Sequence, residues 1–310
     1  MNGKADGWSD EFISYIKDCG QGDCQIVNDT LATWNTSFLR SGEYTVCLCA
    51  TDGVDSNVVY RRVNITHNNF IVKQDGTEDF TTISSAMNAA IEGDTILIES
   101  GDYDEDNIEL KEGIKFAGIG DSVRILVDSG HIGLKVYDHE HPCRICNLTI
   151  RSENSYEGDH GIHISNSDPD IISCRFENFD GGASWGAVAI DGNSYPQFSD
   201  CVFTENEGSI AAVWVNCSDE NETTAPKFYS CEFSENNADG KLIKLDYNYS
   251  TPLDSTHNQP LFNNCRIGDN SSSSGGLIGI YNCHAPLFNW CEITDNEVES
   301  EGILHGQVAG

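Results

Sequence analysis

The sequence of 310 residues predicts an all-β chain: a right-handed parallel β-helix (solenoid) with a short capping helix, preceded by a partial β-sandwich. Three observations carry this expectation. An eleven-residue phrase recurs five times, the recurrence interval is that of one solenoid turn, and short apolar alternations fall between the copies. The boundaries that follow are 1–66 for the sandwich and 67–310 for the β-helix.

The copies are PDIISCRFENF from Pro169, PQFSDCVFTEN from Pro196, PKFYSCEFSEN from Pro226, PLFNNCRIGDN from Pro260 and PLFNWCEITDN from Pro286. Cysteine-to-cysteine intervals are 27, 30, 34 and 26 residues, and a step of 28 back from Cys174 reaches Cys146. Between copies lie Ile162 and Ile164, Val188 and Ile190, Val213 and Val215, Ile243 and Leu245, and Ile278 and Ile280. Period-two alternation over five residues means strands buried on one side. Stacking such coils at ~4.8 Å puts like on like. Ile171, Phe198, Phe228, Phe262 and Phe288 form one inward ladder, and Phe176, Phe203, Phe233, Ile267 and Ile293 another. Cys146, Cys174, Cys201, Cys231, Cys265 and Cys291 are expected as a ladder of buried, reduced thiols. Asn206, Asn236, Asn270 and Asn296 are expected as a polar corner ladder, their amides bonding coil to coil.

The segment from Phe70 to Gly120 reads as a strand, a Gly-bearing turn, a short helix with Ile83, Ala86, Met87 and Ala90 on one side, and strands near Ile96, Ile108 and Ile114. Such a helix covers the open end of an apolar column, as solenoid caps must. Its motifs are Asp75, Gly76, Phe80, Thr82, Ile83 and Ala86; Gly93 to Ile96; Gly101 and Tyr103; Gly118 and Gly120. In these it resembles the opening of pectinesterases and other β-helices of the pectin lyase-like superfamily. The resemblance spans about 240 residues with the repeats, and it implies a fold more than an activity. Upstream, Gly42, Tyr44, Val46, Leu48 and Asp52 resemble the last strands of a PKD or immunoglobulin-like sandwich. A whole sandwich needs nearer 80–100 residues, so its first strands are expected to be incomplete; GILHGQVAG stops part-way through a coil, so the β-helix is expected to be truncated at its C-terminal end.

The 50 Asp and Glu against 17 Lys and Arg give a formal charge of −33, spread along the chain. Without clusters of Lys and Arg there is nothing to hold phosphates, which excludes nucleic acid as a partner. No run reaches the roughly 18 apolar residues that a bilayer-spanning helix needs, and Met1 to Asp10 lacks the layout of a secretory signal. An extracellular or cell-surface location is nevertheless the expectation, as a monomer or part of a longer chain.

Several groups read as structure. His139, His141, Cys143 and Cys146 mimic a zinc cluster, but inward register makes both cysteines buried thiols, with Cys143 taking the place of Ile171 and Phe198. Cys19 with Cys24, and Cys47 or Cys49, are disulfide candidates. The resemblance implies a paired-Asp, Gln and Arg set for pectinesterases, and this chain has no stretch matching their nucleophile strand. The nearest approach to a polygalacturonase motif is GDHG, where Asp159 and His160 read as structural. Arg175 and Arg266 lie beside acids and read as ladder ion pairs.

The candidate binding surface comes from coil length. Eleven residues run from Val215 to Pro226 and fifteen from Leu245 to Pro260, against five or six in the other copies. Loops 216–225 and 246–259 are therefore expected as a protruding rim over outward Trp214, Lys244, Asp191, Asn216 and Asp246. Aromatic and carboxylate groups so mixed suit sugar rings or calcium. The expectation is non-catalytic binding or adhesion to a polysaccharide or cell-surface glycan. The alternatives are a polysaccharide-degrading lyase, hydrolase or esterase and, after it, a viral or phage fibre component. An enzyme would show Asp, Glu, His or Arg converging on one sheet face.

Overall fold

The computed structural model describes residues 42–51, 56–128, 130–153, 160–182, 185–217, 222–247, 259–274, 276–283, 286–299, 302 and 304–308. The chain divides into two units, one ending at Asn68 and the other starting at Asn69. In the first, Gly42–Thr51 and Ser56–Ile65 pair antiparallel, Gly42 opposite Ile65 and Thr51 opposite Ser56. The remaining strands expected for a sandwich fall on 1–41, outside the described residues, as do Cys19 and Cys24.

The second unit is a solenoid of three parallel sheets, of nine, eight and ten strands. A typical coil contributes Gln197–Ser199 to the first sheet, Val202–Thr204 to the second and Glu207–Cys217 to the third. Inward residues stack in register: Phe198, Phe228, Phe262 and Phe288 pair in succession, with ring centroids 4.8–4.9 Å apart. Phe203 and Phe233 stack likewise at 4.6 Å. The helix Ile83–Ala89 is N-capped by Thr82 and buries Ile83, Ala86 and Met87, while the Glu105 carboxylate accepts from the N–H groups of Ile83 and Ser84. These helical residues join the same apolar core as the strands.

Two corners of each coil are tight. Between the first and second sheets one residue takes the left-handed conformation (Ser173, Asp200, Ser230, Asn264 and Trp290, φ 52–57°), and between the second and third another does (Asn178, Glu205, Glu235, Asp269 and Asp295, φ 55–62°). Non-glycine residues enter this region at a cost of roughly 1–2 kcal/mol each, so the corners need compensation, and two ladders supply it. At the first corner each thiol donates to a carbonyl of the coil before: Cys201 to Ile171 at 3.4 Å, Cys231 to Phe198 at 3.6 Å, Cys265 to Phe228 at 3.4 Å and Cys291 to Phe262 at 3.4 Å. At the second, Asn206 donates to Asn236, Asn236 to Asn270, and Asn270 to Asn296, all through Nδ2 at 2.8–2.9 Å.

Two register expectations are corrected. Cys146 pairs beside Ile172, not Cys174, and is half-buried on the outer side of its strand. Leu148, which follows left-handed Asn147, takes the ladder place, because Thr149 aligns with Arg175. Cys143 precedes Arg144, which aligns with Asp170, so it stands level with Pro169 and not with Ile171. It is nonetheless buried, and burial pushes its thiol up to about 12. Matching by residue type across one turn overrides the strand alternation of ICNLTI, in which the inward residues are Ile145, Leu148 and Ile150.

Candidate functional site

The outer face of the third sheet carries two side-by-side columns. Glu109, Lys135, His163, Ala189, Trp214, Lys244 and Gly279 follow one another in one, and Tyr137, Ser165, Asp191, Asn216, Asp246 and Tyr281 in the other. All five residues expected at a binding surface stand here, and strand alternation is the reason: each is flanked by inward Val188, Ile190, Val213, Val215, Ile243 or Leu245. Asp191, Asn216 and Asp246 occupy one column, Trp214 and Lys244 the other. Most of the expected rim, 218–221 and 248–258, lies outside the described residues. The described end of the first loop is fastened to the preceding coil, Thr223 N–H donating to Asn193 Oδ1 at 2.9 Å.

The face also gathers residues that sequence reasoning passes over. Tyr137 Oη lies 2.8 Å from His163 Nδ1, and His163 Nε2 lies 2.8 Å from Asp191 Oδ2. Three consecutive coils thus join a phenol, an imidazole and a carboxylate. Burial would raise the Asp191 carboxyl, but hydrogen bonds from His163 and Ser165 outweigh it and hold the group below its ordinary value. Asp191 is therefore a carboxylate that accepts from His163 Nε2–H. A neutral imidazole so held leaves Nδ1 to accept from Tyr137. Burial, then the nearby charges of Asp191 and Glu109, push the Tyr137 hydroxyl above its ordinary value.

Trp185 covers this line. Its ring centroid is 5.0 Å from that of His160, 5.2 Å from His163 and 4.9 Å from Trp214. Its placement depends on Gly181, where a Cβ would come within 1.5 Å of the Trp185 carbonyl oxygen. Trp214 is accordingly no open platform: Trp185 meets it edge to face, and Lys244 Nζ stands 5.9 Å from its ring centroid. The indole Nε1 is buried with no hydrogen-bond partner. Lys244 also pairs with Asp246 at 2.8 Å and lies 5.7 Å from the Tyr281 ring. His160 is buried against Trp185, in keeping with a structural reading, and Asp159 lies outside the described residues. The signal for His163 is present in GIHIS, where it alternates with inward Ile162 and Ile164; Tyr137 lies outside the five-copy region, and Trp185 stands on a turn that no periodicity marks.

Elsewhere several arginines are paired with acids. Arg124 grips Asp102 through two bonds of 2.5 and 2.8 Å, Arg266 bonds Glu232 at 3.0 Å and Asp269 at 2.6 Å, and Arg175 bonds Glu177. Among the described residues, the clusters that offer three converging metal ligands are Glu92, Glu112 and His141, and Asp106, Asp128 and His131. Neither includes the acids of the third sheet. Each contains an imidazole, whereas calcium prefers oxygen alone, and His141 is already paired with Glu112 at 2.6 Å.

Residues 120–259 match the family described as a right handed beta helix region. Among solved structures, pectin methylesterase from carrot is similar over 79% of this chain and 90% of its own, with 14% identity and a TM-score of 0.52. The solenoid is a right-handed β-helix. Pectin methylesterase PemA from Erwinia chrysanthemi aligns over 74% of this β-helix chain and 82% of its own, at 15% identity and a TM-score of 0.46. The pectin methylesterase from Yersinia enterocolitica aligns over 74% and 95%, at 12% identity and 0.44. No curated protein matches the sequence. At such identities the likeness concerns the β-helix itself. Among the described residues, no strand of the third sheet contains arginine, one of the residues that the resemblance to pectinesterases implies for a catalytic set.

Proposed function

We propose that this β-helix modifies a polysaccharide on the outer face of its third sheet. The observation that carries the reading is the convergence of Tyr137, His163 and Asp191 within hydrogen-bond reach, beside Trp185, Trp214 and the Lys244–Asp246 pair. Aromatic rings offer apolar faces to sugars, and charged groups held on a rigid sheet offer bonds to hydroxyls. Rungs ~4.8 Å apart present these groups at a repeat close to that of a glycan chain. The carrot enzyme that shares the fold is a polysaccharide-modifying enzyme by name, which accords with the reading without carrying it.

This reading takes the enzymatic alternative over simple adhesion. A face built only to adhere has no use for a half-buried imidazole bonded on both sides, with 14% of its side chain exposed. Groups held in that way are the usual material of proton transfer. The surrounding charge of −33 favours uncharged or esterified glycans over bare polyanions.

The test is a panel of neutral, esterified and acidic polysaccharides incubated with the full chain. Binding is followed by calorimetry and products by mass spectrometry. Binding and conversion of one glycan class are expected, with binding weakened at least tenfold in Trp185→Ala, which removes the ring lying over His163 and Trp214. Equal binding by that variant, or no binding by the wild type, removes the assignment of this face.

A further inference from the structure

We infer that Tyr137, His163 and Asp191 act as one proton relay, in which Tyr137 is the general acid and base that touches the glycan, His163 stores the proton behind it and Asp191 positions the imidazole. This rests on the glycan-modifying reading above and adds the chemistry.

The bonds run in one line, phenol to Nδ1 at 2.8 Å and Nε2 to carboxylate at 2.8 Å. Ser165, between Tyr137 and Asp191 in its column, supplies a second bond to the carboxylate. Trp185 lies edge to face against the imidazole, with ring centroids 5.2 Å apart. The other charged groups facing the line are Glu109 and Lys135, which precede His163 in its column; His160 lies under Trp185. Further along stand Lys244 and Asp246, bonded to each other.

The alternative source of proton transfer on this face is a carboxylate pair. Asp191 and Asp246 stand two rungs apart in one column, or about 9.6 Å at the usual strand spacing. That is near the upper end of the separation an inverting glycosidase uses. Such an enzyme needs one of the two free to hand over a proton, whereas Asp191 accepts from His163 and Asp246 is bonded to the Lys244 ammonium, each at 2.8 Å. The phenol is the group left to carry a proton.

The cycle balances without any other reactant. The glycan, or a water attacking it, gives a proton to the Tyr137 oxygen as the phenol proton moves to His163 Nδ1. The resulting imidazolium is held by the Asp191 carboxylate. When the glycan C–O bond breaks, His163 returns its proton to Tyr137, and Tyr137 delivers one to the departing oxygen. No electrons are exchanged with the protein and no proton is gained overall. A phenyl ester or ether at Tyr137 is not needed, which suits a weak nucleophile that is a competent acid and base.

The experiment uses the full chain with unesterified and methyl-esterified polygalacturonate, xylan, mannan and cellulose oligosaccharides. Binding is measured by calorimetry, and turnover by reducing ends, released methanol and alkene absorbance. Tyr137→Phe and His163→Gln are expected to lose at least ~100-fold in kcat while glycan affinity stays within threefold. Asp191→Asn is expected to lower kcat by roughly 10-fold or more while glycan affinity stays within threefold, and Asp191→Glu to restore part of the loss. Melting temperatures of the variants check that they remain folded. If Tyr137→Phe and His163→Gln turn over as the wild type does, the relay is wrong. Binding without turnover of any probe also overturns it while leaving a glycan-binding face. Binding of none of the probes removes the underlying reading, and the relay goes with it.

Discussion

Replacing Asn236 with Asp keeps the shape of the side chain and reverses half of its hydrogen bonding. The Asn236 amide nitrogen donates to Phe203 O at 2.9 Å, to Ser234 O at 3.0 Å and to Asn270 Oδ1 at 2.8 Å. Its oxygen accepts from Asn206 N at 3.1 Å and Asn206 Nδ2 at 2.9 Å, and the residue is 2% exposed. A carboxylate keeps the accepted bonds and turns its other oxygen against three acceptors. Three orphaned contacts at about 1–3 kcal/mol each, partly relieved by relaxation, suggest a loss of roughly 4 kcal/mol at neutral pH, with buried charge adding to it. The introduced carboxyl escapes by holding its proton, so its folded pKa rises above the unfolded value of about 3.9. A group raised in this way binds more protons folded than unfolded, and stability falls as pH climbs through the unfolded value. Asn236→Asp should therefore lie closer to wild type at pH 4 than at pH 7. Asn236→Leu, with nothing to titrate, should show the same deficit at both. Urea midpoints followed by tryptophan fluorescence give the comparison. A loss below ~1 kcal/mol, or equal deficits at the two pH values for Asp, would refute the assigned direction of the ladder.

Further expectations follow from the core and the corners. Phe228→Ala, which empties a place between rings 4.9 and 4.8 Å away, should cost about 3–5 kcal/mol, while Glu232→Ala on the outer face should cost under ~1 kcal/mol; equal urea shifts would contradict the in–out assignment. Gly118→Ala should lower the melting temperature markedly, since a Cβ there would lie 2.2 Å from Asn147 O, and a wild-type melting curve would show that the coils are not so close. In the native protein Cys143 should resist alkylation at pH 8, its thiol being buried and pushed up to about 12, and should react once urea unfolds the chain; rapid native labelling would count against the register. Burial, then Glu99, Glu105 and Asp75, raise the Tyr103 hydroxyl, so the folded state keeps that proton above the unfolded value of about 10 and stability should fall as pH rises past it. A Tyr103→Phe protein showing the same alkaline loss would assign the effect elsewhere.

The repeated phrase made most of the fold readable because a solenoid writes its core into the sequence at fixed intervals. Phe198, Phe228 and Phe262 are adjacent in space for the same reason that they are similar in sequence. Where a coil departs from the phrase that logic fails, as at Cys146, whose outward place only the pairing with Ile172 reveals. The face carrying the candidate site was legible in part. Asp191, Asn216 and Asp246 follow from alternation. Their partners do not, because a hydrogen bond across three coils joins residues whose distance depends on side-chain reach. Tyr137 and His163 are 26 residues apart and stand in different columns, Tyr137 level with Ser165 and His163 level with Lys135, so no repeat spacing pairs them. Trp185 comes from a turn, where the sequence has no period to announce it.

The two tight corners also bear on how such a molecule changes over time. Each spends one left-handed residue and one ladder residue on the turn, as Asp200 with Cys201 and Glu205 with Asn206 do. An added residue there would break a bond shared with the coils on either side. The third corner, from the last strand of one coil to the proline that opens the next, has no such constant length. Insertions and deletions can accumulate along that single edge while the other two are held to a fixed count. Variation is thereby delivered beside the third sheet, next to Asp191, Trp214 and Lys244, and diverging relatives would be expected to differ in what they grip while keeping the same rod.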